Sequence, residues 1–234
     1  MATTDKYTLG IVLNEIDFGE SSKIIKVFTR DFGKVSIMVK GVKSSRSRNL
    51  SVSQIFGVNE YFLKKGQSFY YISEAKIIES NFKIRENYEN LIYASFILEI
   101  LEKSSINEEA NRKIFDLVRK TINFFNDTKH PISISLAFEL KYLSFLGYRP
   151  KLDSKEKTFF SIREGIIDYA DPYSHSFTKK DLNYLRNLLY GKLEEIQNID
   201  YIDKNRKKFL HKVFIDYIKY NLEISSFKSD KLFS

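Results

Sequence analysis

The chain has no cysteine, no tryptophan and only three prolines among its 234 residues. Without cysteine there is no disulfide, no thiolate nucleophile and no cysteine-based zinc site. That suits a reducing cytoplasm. A long uncharged apolar run is also missing. The most apolar stretch, residues 91–102, is interrupted by Glu99 and Glu102, and it is too short and too charged to span a bilayer. The N-terminus lacks the basic region and apolar core of a signal peptide. The expectation is a cytoplasmic protein with no membrane partner. No phosphate-binding glycine loop and no GxSxG elbow occurs, and His130, His175 and His211 are scattered without metal-like spacing. The search for a catalytic centre is therefore mostly negative, and each histidine reads as a surface or structural residue rather than a ligand.

One further absence is local. From Phe32 to Asn59 there is no carboxylate, while Lys34, Lys40, Lys43, Arg46 and Arg48 all fall there. The formal net charge is +8 and the isoelectric point about 9.3. A basic balance of that size raises the question of a nucleic-acid partner.

What is present divides in two. Residues 1–80 alternate with period two at Tyr7, Leu9, Ile11 and Leu13, and again at Val35, Ile37 and Val39. Glycine-containing turns separate five such segments, the last two at 54–65 and 68–78. Five short strands in about eighty residues predict a small barrel, of OB or SH3-like type. After Asn81 the period becomes helical: Leu91, Ala94, Leu98 and Leu101, then Ile114, Val118, Ile122 and Phe125, then Ile132, Leu136, Leu140 and Leu143. Residues 148–177 break the pattern and predict a small β-hairpin insert. Thr178 and Asp181 then make a capping box that restarts the helices. The expected class is α+β, with a barrel over 1–80 and a helical domain over 81–234.

On the third strand Lys34 and Lys40 share parity opposite the apolar residues, so both are expected to face water. Lys43, Arg46 and Arg48 continue the array on a serine-rich loop. Such an array neutralises phosphates along a nucleic-acid backbone, and the serines donate hydrogen bonds to them. Aromatic residues at Phe56, Tyr61, Phe62, Phe69, Tyr70 and Tyr71 supply core and, for one or two of them, stacking surfaces for bases. A second basic run lies on the last helix: Lys204, Arg206, Lys207, Lys208 and Lys212, with Phe209 and Phe214 among them. It reads either as a solvated helix face or as a receptor for an acidic tail, a phenylalanine filling an apolar slot. A protein-interaction adaptor with incidental charge is the alternative to DNA binding.

Residues 10–47, GIVLNEIDFGESSKIIKVFTRDFGKVSIMVKGVKSSRS, resemble the N-terminal signature of the RecO family of bacterial recombination mediators. The shared features are the Gly19–Glu20 turn, the FTRDFGK turn and the basic KGVKSSRS exit. Residues 137–153, AFELKYLSFLGYRPKLD, resemble the family's second signature. The resemblance implies an OB-fold followed by a helical domain. It implies a non-enzymatic role in recombinational DNA repair: binding single- and double-stranded DNA, annealing complementary strands, and cooperating with RecR and RecF. It also implies contact with the tail of single-stranded DNA-binding protein and help in loading RecA on coated DNA. Many members carry a four-cysteine zinc site in the insert. Here Ser154 and Lys157 stand at the first pair and Asp168 and Asp171 near the second, so the insert is expected to be metal-free and held by packing of TFFSI against GIIDY.

Overall fold

The computed structural model describes residues 6–42, 49–154, 157–199 and 201–233. They form two compact units, one of residues 1–87 with 98–126, the other of 88–97 with 127–234.

The first unit is built on β1 (Lys6–Phe18), β2 (Ser22–Thr29), β3 (Gly33–Val39), β4 (Val58–Lys65) and β5 (Tyr70–Glu79). They close into a barrel in the order β1-β2-β3-β5-β4. Neighbours are antiparallel except β3 and β5, which meet in parallel at Ile37–Tyr70 and Met38–Tyr71. That five-strand Greek-key closure is the OB-fold order, and it settles the choice against an SH3-like barrel. β1 is long enough to pair with β4 over its first half and β2 over its second, with a bulge between Val12 and Asn14. The bulge bends the strand around the barrel. Its freed groups are met by the chain at 56–57: Phe56 N donates to Val12 O at 3.1 Å, and Val12 N to Gly57 O at 3.1 Å.

Alternation on β3 follows the sequence reading. Val35, Ile37 and Val39 are buried with Ile25, Val27, Tyr61 and Leu63, while Lys34 and Ser36 lie half-buried on the other side. Each fully buried aliphatic side chain contributes about 1.5–3 kcal/mol of transfer free energy. The strand expected to start at residue 54 starts at Val58 instead. A short helix α1 (Asn49–Val52) and a left-handed Phe56 (φ 72°) come first, because Val52 and Phe56 both turn into the core.

The last turns of α2 (Tyr88–Ser104) and all of α3 (Arg112–Phe124) belong to this unit. The loop between them lies against the start of β3: Glu108 N donates to Lys34 O at 3.1 Å. Gly33 makes this possible. Its φ is +69°, and a Cβ there would stand 2.1 Å from the Glu109 carbonyl oxygen.

In the second unit α4 (Pro131–Phe145) is buried on nearly every face and packs against α5 (Lys179–Tyr190) and α7 (Lys204–Asn221). Gly147, at φ +90°, ends α4 in a left-handed turn in which Tyr148 N donates to Leu143 O at 2.8 Å. A four-residue helix α6 (Ile196–Ile199) and a 3-10 turn over Lys228–Leu232 complete the helical part. The insert contains the expected hairpin, β6 (Phe159–Ser161) with β7 (Ile166–Asp168), and a third strand β8 (Ser174–Ser176) on the other side of β6. No helix among the described residues is long and apolar enough to cross a membrane.

Candidate nucleic-acid interface

A groove of about 560 Å³ opens at one end of the barrel. The β1–β2 turn supplies Phe18, Ser21 and Ser22; β3 and its exit supply Met38 and Lys40; the β4–β5 turn supplies Gln67, Ser68 and Phe69, with Tyr71 beside them. None of these lining residues carries a carboxylate. The exposed Lys40 holds its ammonium 5.5 Å from the centroid of the Tyr71 ring. The Phe18 and Phe69 rings lie 6.4 Å apart at 59°. Gly66 sets this corner: a Cβ there would come within 2.6 Å of the Tyr71 ring, so glycine lets the ring lie over the turn. Period two sends the neighbouring Tyr70 the other way, toward Glu108 at 3.3 Å.

Of the five basic residues singled out on this rim, Lys40 lies in the groove. Lys43, Arg46 and Arg48 lie outside the described residues, following Lys40 directly in the chain. Lys34 is not brought to the groove. It stands at the far end of β3, and its ammonium donates to the Glu102 carbonyl oxygen at 2.5 Å, near the C-terminus of α2. Desolvation first, and then the neighbouring Lys26, hold its pKa below the usual lysine value against the opposing pull of Glu102. Lys26 itself pairs with the Glu102 carboxylate at 2.6 Å, which Asn14 also approaches. Lys34 is therefore half-buried at a helix end, where a cation suits the macrodipole, rather than displayed to solvent.

The basic run on α7 also separates. Lys204 pairs with Glu89. Arg206 grips Asp181, with Nη2 2.6 Å and Nε 3.1 Å from Oδ2, and donates to Ser176 O at 2.9 Å. Burial alone would raise the Asp181 carboxyl, but hydrogen bonds from Arg206 and Thr178 outweigh it and hold its pKa below the usual range. Phe209 is half-buried between the Arg206 guanidinium, 4.3 Å away, and His175. Phe214 is fully buried among Phe160, Phe177 and Tyr217, so it is not available to a partner. Lys207 is half-buried.

Lys208 and Lys212 are exposed and border a hollow of about 260 Å³ with Lys219, Asp216 and Asp230. Its apolar wall is Tyr93, Ile215 and Phe233. Lys219 is tied to Asp230 at 2.8 Å. His211 lies at the inner side, its Nε2 3.0 Å from the buried Glu139 carboxylate. Sequence reasoning found Lys208 and Lys212 but missed Ile215 and Lys219, although 208, 212, 215 and 219 follow helical spacing on one face. It also missed Phe18, which stands alone in a polar turn and carries no periodic signal.

The insert's four positions do not fit a zinc ion, because a lysine ammonium is no ligand and no thiolate is present. Lys157 forms an ion pair with Asp168, and its backbone N donates to Ser154 Oγ at 2.9 Å. Asp171 Oδ1 accepts from Tyr173 N at 2.6 Å. Among the described residues no group of histidines, cysteines and carboxylates is placed to hold a metal ion.

Comparison with known proteins agrees with this architecture. The family model described as Recombination protein O N terminal matches residues 1–81, and that described as Recombination protein O C terminal matches residues 85–231. The DNA repair protein RecO of Bacillus cytotoxicus is 30% identical over 211 residues, 85% of this chain and 85% of its own length. That of Bacillus cereus is 31% identical over 211 residues, again 85% of each chain. That of Halalkalibacterium halodurans is 27% identical over 233 residues, 93% of this chain and 92% of its own. With both halves matched and relatives aligned along most of their length, the chain belongs to the recombination protein O family, whose members serve DNA repair and recombination as mediators rather than as enzymes.

Proposed function

We propose that residues 1–80 bind DNA through the groove end of the barrel and that residues 81–234 carry the partner contacts. The observation behind this reading is a carboxylate-free groove holding Lys40, at the point where β3 runs into the basic segment of Lys43, Arg46 and Arg48. The groove lies between the β1–β2 and β4–β5 turns, the loops with which OB-folds take up oligonucleotides. Phosphates are common to single and double strands, so the rim serves both. Neutralising phosphates lowers the repulsion between two strands. That is how a protein without catalytic groups promotes annealing.

The hollow beside α7 is the second element of the proposal. Two exposed ammonium groups, Lys208 and Lys212, over an apolar wall suit an acidic peptide with an apolar residue, the chemistry of the single-stranded DNA-binding protein tail. Holding that tail while the barrel holds the strand places the protein on coated DNA. There, with RecR and RecF, it helps RecA to load.

Salt dependence tests the DNA contact. Log affinity for a labelled oligonucleotide should fall with log salt by about 0.7–0.9 per phosphate contacted. Affinity that ignored salt would favour the adaptor reading instead.

A further inference from the structure

We propose that Phe18, Phe69 and Tyr71 form a stacking site for one or more unpaired bases, so that the groove itself selects single strands over duplex. This deepens the DNA-binding reading above and rests on it.

The first ground is exposure. Phe18 is 49% exposed at the edge of a polar turn. Phe69 and Tyr71 are half-buried around the same opening. An apolar ring left in water is unfavourable by roughly 25 cal/mol per Å² of exposed apolar area. The ring neighbour of Phe18 is Phe69, tilted at 59°. Two tilted rings leave a wedge that is open on one side, and a planar base can enter it and stack.

The second ground is charge. Bases arrive with phosphates attached, so a usable stacking site needs cations and no carboxylates around it. The barrel offers a comparison. The exposed Tyr7 and the half-buried Phe62 make a tighter aromatic pair, 4.5 Å apart at 29°. There the Tyr7 hydroxyl donates to Glu74 at 3.2 Å, and Glu74 and Glu60 together raise its pKa. A phosphate approaching that pair meets two carboxylates. At the groove it meets Lys40, already poised over Tyr71, with the hydroxyls of Ser21, Ser22 and Ser68 and the amide of Gln67 around it. Those groups donate to phosphate oxygens and to base edges alike. The volume, about 560 Å³, falls within the range of about 300–1,000 Å³ typical of ligand sites.

Duplex cannot use this site, because its bases are already stacked and their faces covered. Phosphate contact therefore gives general DNA affinity, and the aromatic groove adds an increment for single strands alone.

The test uses the full chain with three probes measured by fluorescence anisotropy: a labelled single strand, the same strand with abasic sites, and the duplex. The wild type should bind the base-bearing strand more tightly than the abasic one. Phe69→Ala and Phe18→Ala should each weaken single-strand binding about five- to a hundredfold, remove the preference over the abasic strand, and leave duplex affinity within about twofold. Phe69→Tyr should restore binding. Equal affinity of the wild type for base-bearing and abasic strands would overturn the proposal while leaving phosphate binding intact. So would a parallel loss on single strand and duplex in either variant. No salt-dependent binding to any probe would refute the DNA reading itself, a distinct result.

Discussion

Replacing Arg206 with alanine should destabilise the helical unit by about 2–4 kcal/mol. Its guanidinium makes a forked contact with a carboxylate that is only 2% exposed, and Asp181 is also the third residue of the α5 capping box. Without Arg206, Asp181 keeps only the backbone N–H and hydroxyl of Thr178, at 2.7 Å each. Breaking a buried pair by removing one partner costs about 3–5 kcal/mol. Two features narrow that range. The arginine side chain is 29% exposed, so water can enter the vacated space and screen the charge. The carboxyl can also escape by taking a proton, which at about pH 7 costs close to 4 kcal/mol for a group with an ordinary pKa near 3.9, and this caps the loss. Because its folded pKa is held down, Asp181 contributes stability above its unfolded pKa, and that contribution disappears as pH falls through the folded value. The difference between wild type and variant should therefore be full near neutrality and shrink as pH falls below about 4. Urea unfolding followed by circular dichroism at several pH values measures both. A loss under about 0.5 kcal/mol, or one independent of pH, would refute the assignment of Arg206 to the fold and return it to the partner surface.

Four further outcomes follow from the same geometry. Lys40→Glu combined with Arg46→Glu should weaken single- and double-stranded binding alike and flatten the salt slope by about 1.4–1.8, measured by titration at several salt concentrations. Lys34→Met should leave DNA affinity unchanged in the same titration, because its ammonium is occupied by the Glu102 carbonyl. Lys208→Glu with Lys212→Glu should abolish binding of an acidic tail peptide in calorimetry, with circular dichroism unaltered. The Lys157–Asp168 pair has a lysine pKa raised chiefly by the hydrogen bond to Asp168, and an aspartate pKa lowered chiefly by that same bond. Its contribution should be present between the two unfolded pKa values. It should be lost as pH falls through the folded aspartate value or rises through the folded lysine value, seen as a smaller pH dependence of Tm in Lys157→Met, while a metal chelator leaves Tm in place.

Much of the fold was legible because burial imposes a period. The odd residues of β3, the Thr178–Asp181 box and the stop at Gly147 each follow from local chemistry that tertiary contacts did not override. The misreadings have a common physical form. Ile55 and Phe56 are apolar and precede Gly57, so residues 54–57 read as the start of a strand, yet Phe56 is buried from a left-handed turn that follows α1. β8, Ser-His-Ser, has no apolar residue and is a strand only because β6 offers it an edge. For the site, charge was legible and its partners were not. Lys34 and Lys40 have the same parity on one strand, and what separates them is a carbonyl from Glu102, sixty-eight residues away in the chain. Tyr70 and Tyr71 are adjacent and differ only in which face the pleat gives them.

The family resemblance implies a four-cysteine zinc site in this insert, and a chain without cysteine has to hold the insert together by other means. Zinc in a small domain does two jobs: it supplies folding free energy that a tiny core cannot, and it ties distant chain segments together. Here the first job falls to Phe160, which is fully buried. It stacks on Phe177 at 5.4 Å and meets Phe214 and Tyr217 of α7 at 5.4 and 5.2 Å. The insert thus shares the core of the helical unit instead of needing its own. The second job falls to Lys157 and Asp168, whose ion pair ties the segment before β6 to the end of β7. Phe214 therefore sits in the middle of a basic run for a reason unrelated to binding. It is part of the surface on which the insert packs, while the exposed Lys208 and Lys212 lie on another face of the helix, beside the hollow.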